Sequence, residues 1–180
     1  MPNPRAALWV SQANSDRHAA TRLYDRAEHR TYCQAIGKHQ QTVEKSVKAI
    51  AAAVSDAGIA LVPDAHYYQH DVDKLISVLR HLPKPKDHRE VAGQISSLLN
   101  EHRGGEIKVL SDLAPKKPSP GSLHARNTEY PYERTAGNWT APALPGAFGS
   151  HEVDRFSRLA DAVYEGARKI VFALRRQGVP

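Results

Sequence analysis

The sequence has a single cysteine, Cys33, which excludes an intrachain disulfide and a cysteine-based zinc site. It also has no apolar run of the roughly 20 residues that a membrane-spanning helix requires. The N-terminal stretch MPNPRAALWV contains no apolar segment of signal-peptide length. These absences predict a protein of the reducing cytoplasm that does not bind membranes.

Motifs of several common enzyme classes are missing as well. The histidines show no HExxH-like metal spacing, and the chain has no P-loop, no glycine-rich dinucleotide loop and no serine or cysteine nucleophile motif. The sequence therefore predicts neither a metal site nor a cofactor.

The composition is that of one folded domain. The chain has 180 residues, 41% of them hydrophobic and 24% charged, so residues 1–180 can form one sizeable core. The net charge of +6 and the pI near 9.5 are compatible with a polyanionic partner such as RNA, DNA or a nucleotide. The basic residues are scattered, however, and charge alone slightly favours an ordinary basic surface.

Hydrophobic residues recur at helical spacing in several parts of the chain. The clearest stripe is Tyr32, Ile36, His39, Val43, Val47, Ile50 and Val54, with Gly58 as the expected stop. The other predicted helices are residues 13–30, about 70–81, a segment capped by Asp87 and interrupted at Gly104 and Gly105, and 150–177. We expect Cys33 to be buried and inert, and His39 to lie at the edge of the core with its nitrogen hydrogen-bonded.

Residues 114–150 show no regular pattern, which is typical of a long loop. We therefore predict an all-α fold, an antiparallel up-and-down bundle of four or five helices with a long Pro- and Gly-containing loop before the last helix. The core is expected in residues 13–113 and 150–177, and the irregular loop at about 114–150.

The order of these features resembles the HEPN family. A long helix of that family carries the pattern hxxxEKxxKAhh, and the corresponding residues here are His39, Glu44, Lys45, Lys48 and Ala49. YYQHDVDKLISVL is similar to the short family helix that opens on His-x-hydrophobic, and ARNTEYPYE to the Arg and Tyr-Pro element before the last helix. The resemblance covers roughly residues 13–177 and implies a helical bundle. Many members of the family dimerise and accompany a minimal nucleotidyltransferase in toxin–antitoxin or defence pairs.

Ribonuclease members of the family carry an Arg followed after four to six residues by a His, and this pair is not found at the expected position. Arg126 is followed by NTEYPYE, which contains no His. The chemistry requires a His as general acid–base and an Arg that stabilises the phosphate charge in one cleft. A displaced set would combine Arg126 with His124 or His70, and these three residues are the catalytic candidates.

The segment ARNTEYPYER is the main candidate for ligand binding, because arginines pair with phosphates and tyrosines stack on bases. The alternative is that Tyr130 and Pro131 pack the loop onto the last helix. Lys45 and Lys48 are candidates for phosphate contacts, although ion pairs are the more common role of such residues. The predicted ligand-binding residues are Arg126, Asn127, Tyr130, Tyr132, Arg134, Asp71, Lys45 and Lys48.

These features together predict a HEPN-like homodimer that binds a nucleotide or RNA, or pairs with a nucleotidyltransferase. An active metal-independent ribonuclease with a displaced Arg/His site is one alternative. A non-catalytic helical dimerisation module is the other.

Overall fold

The computed structural model describes residues 4–25, 31–59, 72–82, 88–114, 126–129 and 131–176. These residues form six helices and one two-stranded sheet. The helices are α1 (Pro4–Asp25), α2 (Tyr32–Asp56), α3 (Val72–Arg80), α4 (Arg89–Leu98), α5 (Glu101–Asp112) and α6 (Ser150–Arg176). The predicted all-α class is confirmed, with one helix more than the four or five expected.

Helix α1 begins at Pro4, nine residues before the predicted start at residue 13. Proline is well tolerated in the first turn of a helix, where its missing N–H would have no intrahelical acceptor. The buried face of α1 carries Ala6, Ala13 and Ala20 at seven-residue intervals. Alanine lets two helices approach closely, but it gives a weak hydrophobic signal, and this is why the sequence pattern missed the first turns.

Helix α2 has the predicted stripe on its buried face, from Ile36 to Val54. It ends as expected at Gly58, which has a φ of +65°. The Gly58 N–H donates to the Ser55 carbonyl at 3.1 Å and the Ile59 N–H to the Val54 carbonyl at 3.2 Å. This pattern is a Schellman motif, in which a glycine reverses the chain without steric strain and the buried Ile59 seals the end of the helix.

Helices α1, α2 and α6 form the main layer of the bundle. Arg5 at the start of α1 lies 3.6 Å from Asp56 at the end of α2, so these helices are antiparallel. Arg17 of α1 binds Asp161 of α6, whereas the hydroxyl of Tyr24 hydrogen-bonds Asp154, nearer the start of α6. Helix α1 is therefore antiparallel to both neighbours, and α2 and α6 run in the same direction.

The helix break predicted at Gly104 and Gly105 is not where the structure has it. The break between α4 and α5 lies at Leu99 and Asn100, and both Gly104 and Gly105 lie inside α5. The Asn100 side chain accepts a hydrogen bond from the Arg103 N–H at 2.9 Å, which starts a new helix. Helix α4 has His88 at its N-cap. The predicted cap Asp87 lies outside the described residues.

The predicted irregular loop contains a short β-hairpin that the sequence did not reveal. Strands β1 (Tyr132–Thr135) and β2 (Asn138–Thr140) pair in antiparallel fashion, with Tyr132 opposite Thr140. Gly137 in the turn has a φ of +77°, a conformation that favours glycine. The strands are too short to give a detectable alternation.

Among the described residues, no helix combines the length and apolar character needed to cross a membrane.

Candidate functional site

Arg126 holds the start of α6 to the loop before it. Its guanidinium lies 4.1 Å from the centre of the Phe148 ring, and its Nε donates to the Ala147 carbonyl at 3.1 Å. Its Nη2 donates to Glu152 Oε2 at 2.9 Å and also to the Ala147 carbonyl. Glu152 accepts a second hydrogen bond from the Gly149 N–H at 3.0 Å. Most of the donors of Arg126 are thus used to fix the chain just before α6.

The electrostatics of this pair agree with a structural role. Burial alone would lower the pKa of Arg126, but the hydrogen bond and the charge of Glu152 outweigh burial and raise it. Burial would raise the pKa of Glu152, but Arg126 and the Gly149 N–H lower it overall. Each group therefore stabilises the charged form of the other, and a phosphate at this position would compete with the carboxylate of Glu152.

Two further predicted ligand residues lie beside Arg126. Asn127 is buried, and its side-chain oxygen accepts the Glu129 N–H at 2.9 Å. Tyr132 is buried in β1 and hydrogen-bonds the Arg126 side chain. The structure places these three residues close together, with their polar groups directed largely at the protein itself.

Several predicted residues cannot be compared with the structure. His70, Asp71, His124 and Tyr130 lie outside the described residues, and only the backbone of Arg134 is described, in β1. Their proposed roles stay predictions.

Arg126→Ala should lower the free energy of unfolding by about 2 kcal/mol, because Glu152 is only 21% exposed and would lose its partner. The measurement is urea denaturation followed by circular dichroism. Arg5→Ala is the matched control, since the Arg5–Asp56 pair is exposed and should contribute less than about 0.5 kcal/mol. If the two variants unfold at the same urea concentration, Arg126 is available for a ligand and its structural role is wrong.

Lys45 and Lys48 lie away from Arg126, on the side of α2 that faces α1. Lys45 binds the carboxylate of Asp16, which also accepts Lys38 Nζ at 3.1 Å. Lys48 lies 2.6 Å from Glu44 and 5.2 Å from the centre of the Trp9 ring. The two lysines therefore make ion pairs, which is the alternative that the sequence favoured over phosphate binding.

His39 is more deeply buried than predicted. It is 2% exposed, and its Nδ1 has no hydrogen-bond partner among the described residues, contrary to the expected hydrogen bond. Burial lowers its pKa to about 4, although the charge of Asp161 acts in the opposite direction. Cys33 is buried as predicted, and burial raises the pKa of its thiol. Neither residue is positioned as a catalytic group.

Helix α6 carries a cationic surface that was not predicted from the sequence. The helix carries six Lys or Arg residues and four acidic ones, and each of the four acids has a partner. Glu152 binds Arg126, Asp154 binds Tyr24, Asp161 binds Arg17, and Glu165 binds Arg168. Three of the four acids therefore pair with an arginine and Asp154 binds a neutral hydroxyl, while several cations of α6 are exposed.

Arg155, Arg158 and Lys169 form what we call the α6 cationic face. Arg158 and Lys169 follow Arg155 by three and fourteen residues, so the three side chains lie on one side of the helix and span about 21 Å of its length. All three are exposed, and within the described part of the chain Arg158 and Lys169 make no ion pair. Arg155 makes a 3.4 Å contact with Glu106 in an exposed pair, which contributes little energy. The repeat of these cations along the last helix was the signal in the sequence.

One histidine lies near the Arg126 cluster. His151 is an exposed residue in the first turn of α6, and its charge lowers the pKa of Glu152, the partner of Arg126. In the sequence His151 lies 25 residues after Arg126 and 17 after Arg134, outside the four to six residues that separate the Arg and His of the family motif. No group of three or more His, Cys, Asp or Glu side chains within the described ranges could hold a metal ion.

The fold and these surfaces define a helical bundle with a cationic last helix. No protein-family model matches the chain, and neither the curated proteins nor the solved structures include a significant match.

Proposed function

We propose that the chain is a HEPN-like protein that binds single-stranded RNA on the α6 cationic face. The observation that carries the proposal is the separation of charge on α6, where the acids bind partners within the protein and the cations face solvent. Exposed cations attract phosphates because binding releases counterions from the nucleic acid. Their spread over about 21 Å suits a strand with several phosphates better than a single nucleotide.

The hairpin offers an additional contact for RNA. Trp139 in β2 is 51% exposed, and an exposed indole is a surface on which a base can stack irrespective of sequence. The hairpin is joined to the start of α6 through Tyr132 and Arg126. Cations combined with an exposed aromatic ring are typical of proteins that bind single strands.

Fluorescence anisotropy with a labelled RNA of roughly 15 nucleotides tests the proposal at several salt concentrations. The triple variant Arg155→Ala/Arg158→Ala/Lys169→Ala should bind the RNA at least tenfold more weakly, which is a loss of about 1.4 kcal/mol of binding free energy. For this variant, the slope of log K against the logarithm of the salt concentration should become less negative by about 2, because each of the three lost phosphate contacts contributes about 0.7 to the slope.

The control removes the same charge elsewhere. Arg5→Ala/Arg22→Ala/Lys108→Ala takes three exposed cations from other helices and should change the affinity less than threefold, since it leaves α6 intact. Equal losses in the two triple variants would mean that the RNA responds only to net charge, and the α6 site would be wrong.

The same RNA, run on a gel with a chelator present, tests the ribonuclease alternative. The sequence offers Arg126 with His124 or His70 for a displaced active site, and the structure adds a third pair, Arg126 with the exposed His151, whose charge acts on Glu152, the partner of Arg126. Cleavage that is lost in His151→Ala would support catalysis by this pair. Pairing with a nucleotidyltransferase, homodimerisation and a cytoplasmic location stay predictions of the sequence.

A further inference from the structure

A cleft lies between α4 and α6, on a different side of α6 from its contacts with α1. Its volume is about 600 Å³, within the range of small-molecule sites. The lining residues are Glu90, Gly93, Gln94, Ser97, Leu98, Arg103, Gly166, Lys169 and Ile170. None of them was singled out by the sequence, and none takes part in the Arg126 cluster.

Two glycines shape the cleft in different ways. At Gly166, a Cβ atom would come within 2.5 Å of a Leu98 methyl group, so the missing side chain lets α4 and α6 touch. At Gly93, a Cβ atom would meet nothing within 4 Å, so the wall of the cleft is open there. The first glycine thus allows the close contact of the two helices, and the second leaves exposed backbone in the lining of the cleft, where there is room for a flat group.

The charges in the cleft favour an anion. Arg103 Nη1 donates to the Leu98 carbonyl at 2.7 Å, which holds the guanidinium at the end of α4 and leaves its other nitrogens available. Lys169 reaches the cleft from α6 and makes no ion pair with a described residue. The acid that lines the cleft, Glu90, accepts a hydrogen bond from Gln94 at 3.3 Å. Two cations and one carboxylate thus line the cleft.

Apolar and polar groups complete the lining. Leu98 and Ile170 give apolar contact, while the Gln94 amide and the Ser97 hydroxyl can donate and accept hydrogen bonds. A few polar groups in a largely apolar concave surface are typical of sites that orient a small ligand. An organic phosphate with a flat ring satisfies both features, because the phosphate meets the cations and the ring meets the glycine-lined wall.

We propose that the α4/α6 cleft binds a nucleoside monophosphate. The site goes beyond the proposed RNA surface and does not depend on it, although Lys169 belongs to both. The cleft holds one phosphate group between Arg103 and Lys169, whereas the α6 cationic face contacts phosphates spaced along a strand.

Isothermal titration calorimetry of the full chain tests the proposal with the four ribonucleoside 5′-monophosphates and, separately, with inorganic phosphate. At least one nucleotide should bind with a Kd below ~1 mM, and inorganic phosphate at least tenfold more weakly. No binding by any of the four, or equal binding of inorganic phosphate, would overturn the proposal.

Gly93→Leu is the decisive variant, because it places a side chain in the cleft at a position with open space. It should abolish nucleotide binding and leave the melting temperature unchanged or higher, since glycine is a poor helix former. Gly105→Leu is the matched control, an exposed helical glycine of α5 that also has open space and does not line the cleft. Unchanged nucleotide binding in Gly93→Leu would place the ligand elsewhere.

The RNA surface is tested in the same preparations. Gly93→Leu should bind RNA as well as the original chain does, and Arg158→Ala should weaken RNA binding without changing nucleotide binding. Lys169→Ala should weaken both. Failure of the RNA proposal would thus appear in Arg158→Ala, and failure of the cleft proposal in Gly93→Leu.

Discussion

Asp16→Ala is expected to lower the free energy of unfolding by about 3 kcal/mol, because it breaks a buried ion-pair cluster. The Asp16 side chain is 5% exposed and binds both Lys38 and Lys45 of α2. Without the carboxylate, two ammonium groups would face α1 with no opposite charge. Lys45 is only 20% exposed, so water would hydrate its ammonium group only in part.

Urea denaturation measures this loss, with Asp112→Ala as the control. Asp112 pairs with Lys108 on the surface of α5 with 46% of its side chain exposed, so its removal should change stability by less than about 0.5 kcal/mol. Asp16→Asn, which keeps the volume and removes the charge, should lose nearly as much as Asp16→Ala. If Asp16→Asn is as stable as the original chain, the charge of Asp16 does not stabilise the α1–α2 contact.

Acidification from pH 7.5 to pH 5 should destabilise the chain by about 2 kcal/mol through His39 alone. The pKa of His39 is about 4 in the folded protein and near 6.5 in an unfolded chain. Between these values the unfolded state binds a proton and the folded state does not, so stability falls as pH falls. Below pH 4 the loss levels off near 3 kcal/mol, since both states are then protonated.

The comparison with His39→Leu isolates this effect. Leucine has no titratable group and fills a similar volume, so the variant should be at least as stable at pH 7.5 and should lose about 2 kcal/mol less on acidification. His102→Leu is the control, because His102 is 87% exposed and should leave the pH dependence unchanged. Equal acid sensitivity in the original chain and His39→Leu would contradict a neutral, buried His39.

Much of the fold was predictable because helices carry a local signal. The stripe of α2, its end at Gly58 and the whole of α6 are where the periodicity indicated. The start of α1 was missed because its buried residues are alanines, whose burial depends on the neighbouring helix. The helix break predicted at Gly104 and Gly105 was wrong, because Asn100 caps a new helix and both glycines lie inside it.

The candidate sites were less predictable than the helices. Arg126, Asn127 and Tyr132 lie together in the structure because they are close in sequence, and their role in ligand binding stays a prediction. The partner of Arg126, Glu152, lies 26 residues away, and only the folded chain joins them. The α4/α6 cleft is formed by two helices separated by α5 and the hairpin, so no local pattern could indicate it.

The all-α class, the positions of the main helices and the excess of positive charge could be predicted from the sequence, because they follow from spacing and composition. Which charges remain exposed depends on how the helices pack and could not be predicted from the sequence. Arg17 and Asp161 are 144 residues apart, and Asp16 and Lys45 are 29 apart, yet each pair is in contact. Ion pairing depends on distances of a few ångströms that are set by helix packing, so the same Lys or Arg in the sequence becomes a structural contact on one helix and an exposed cation on another.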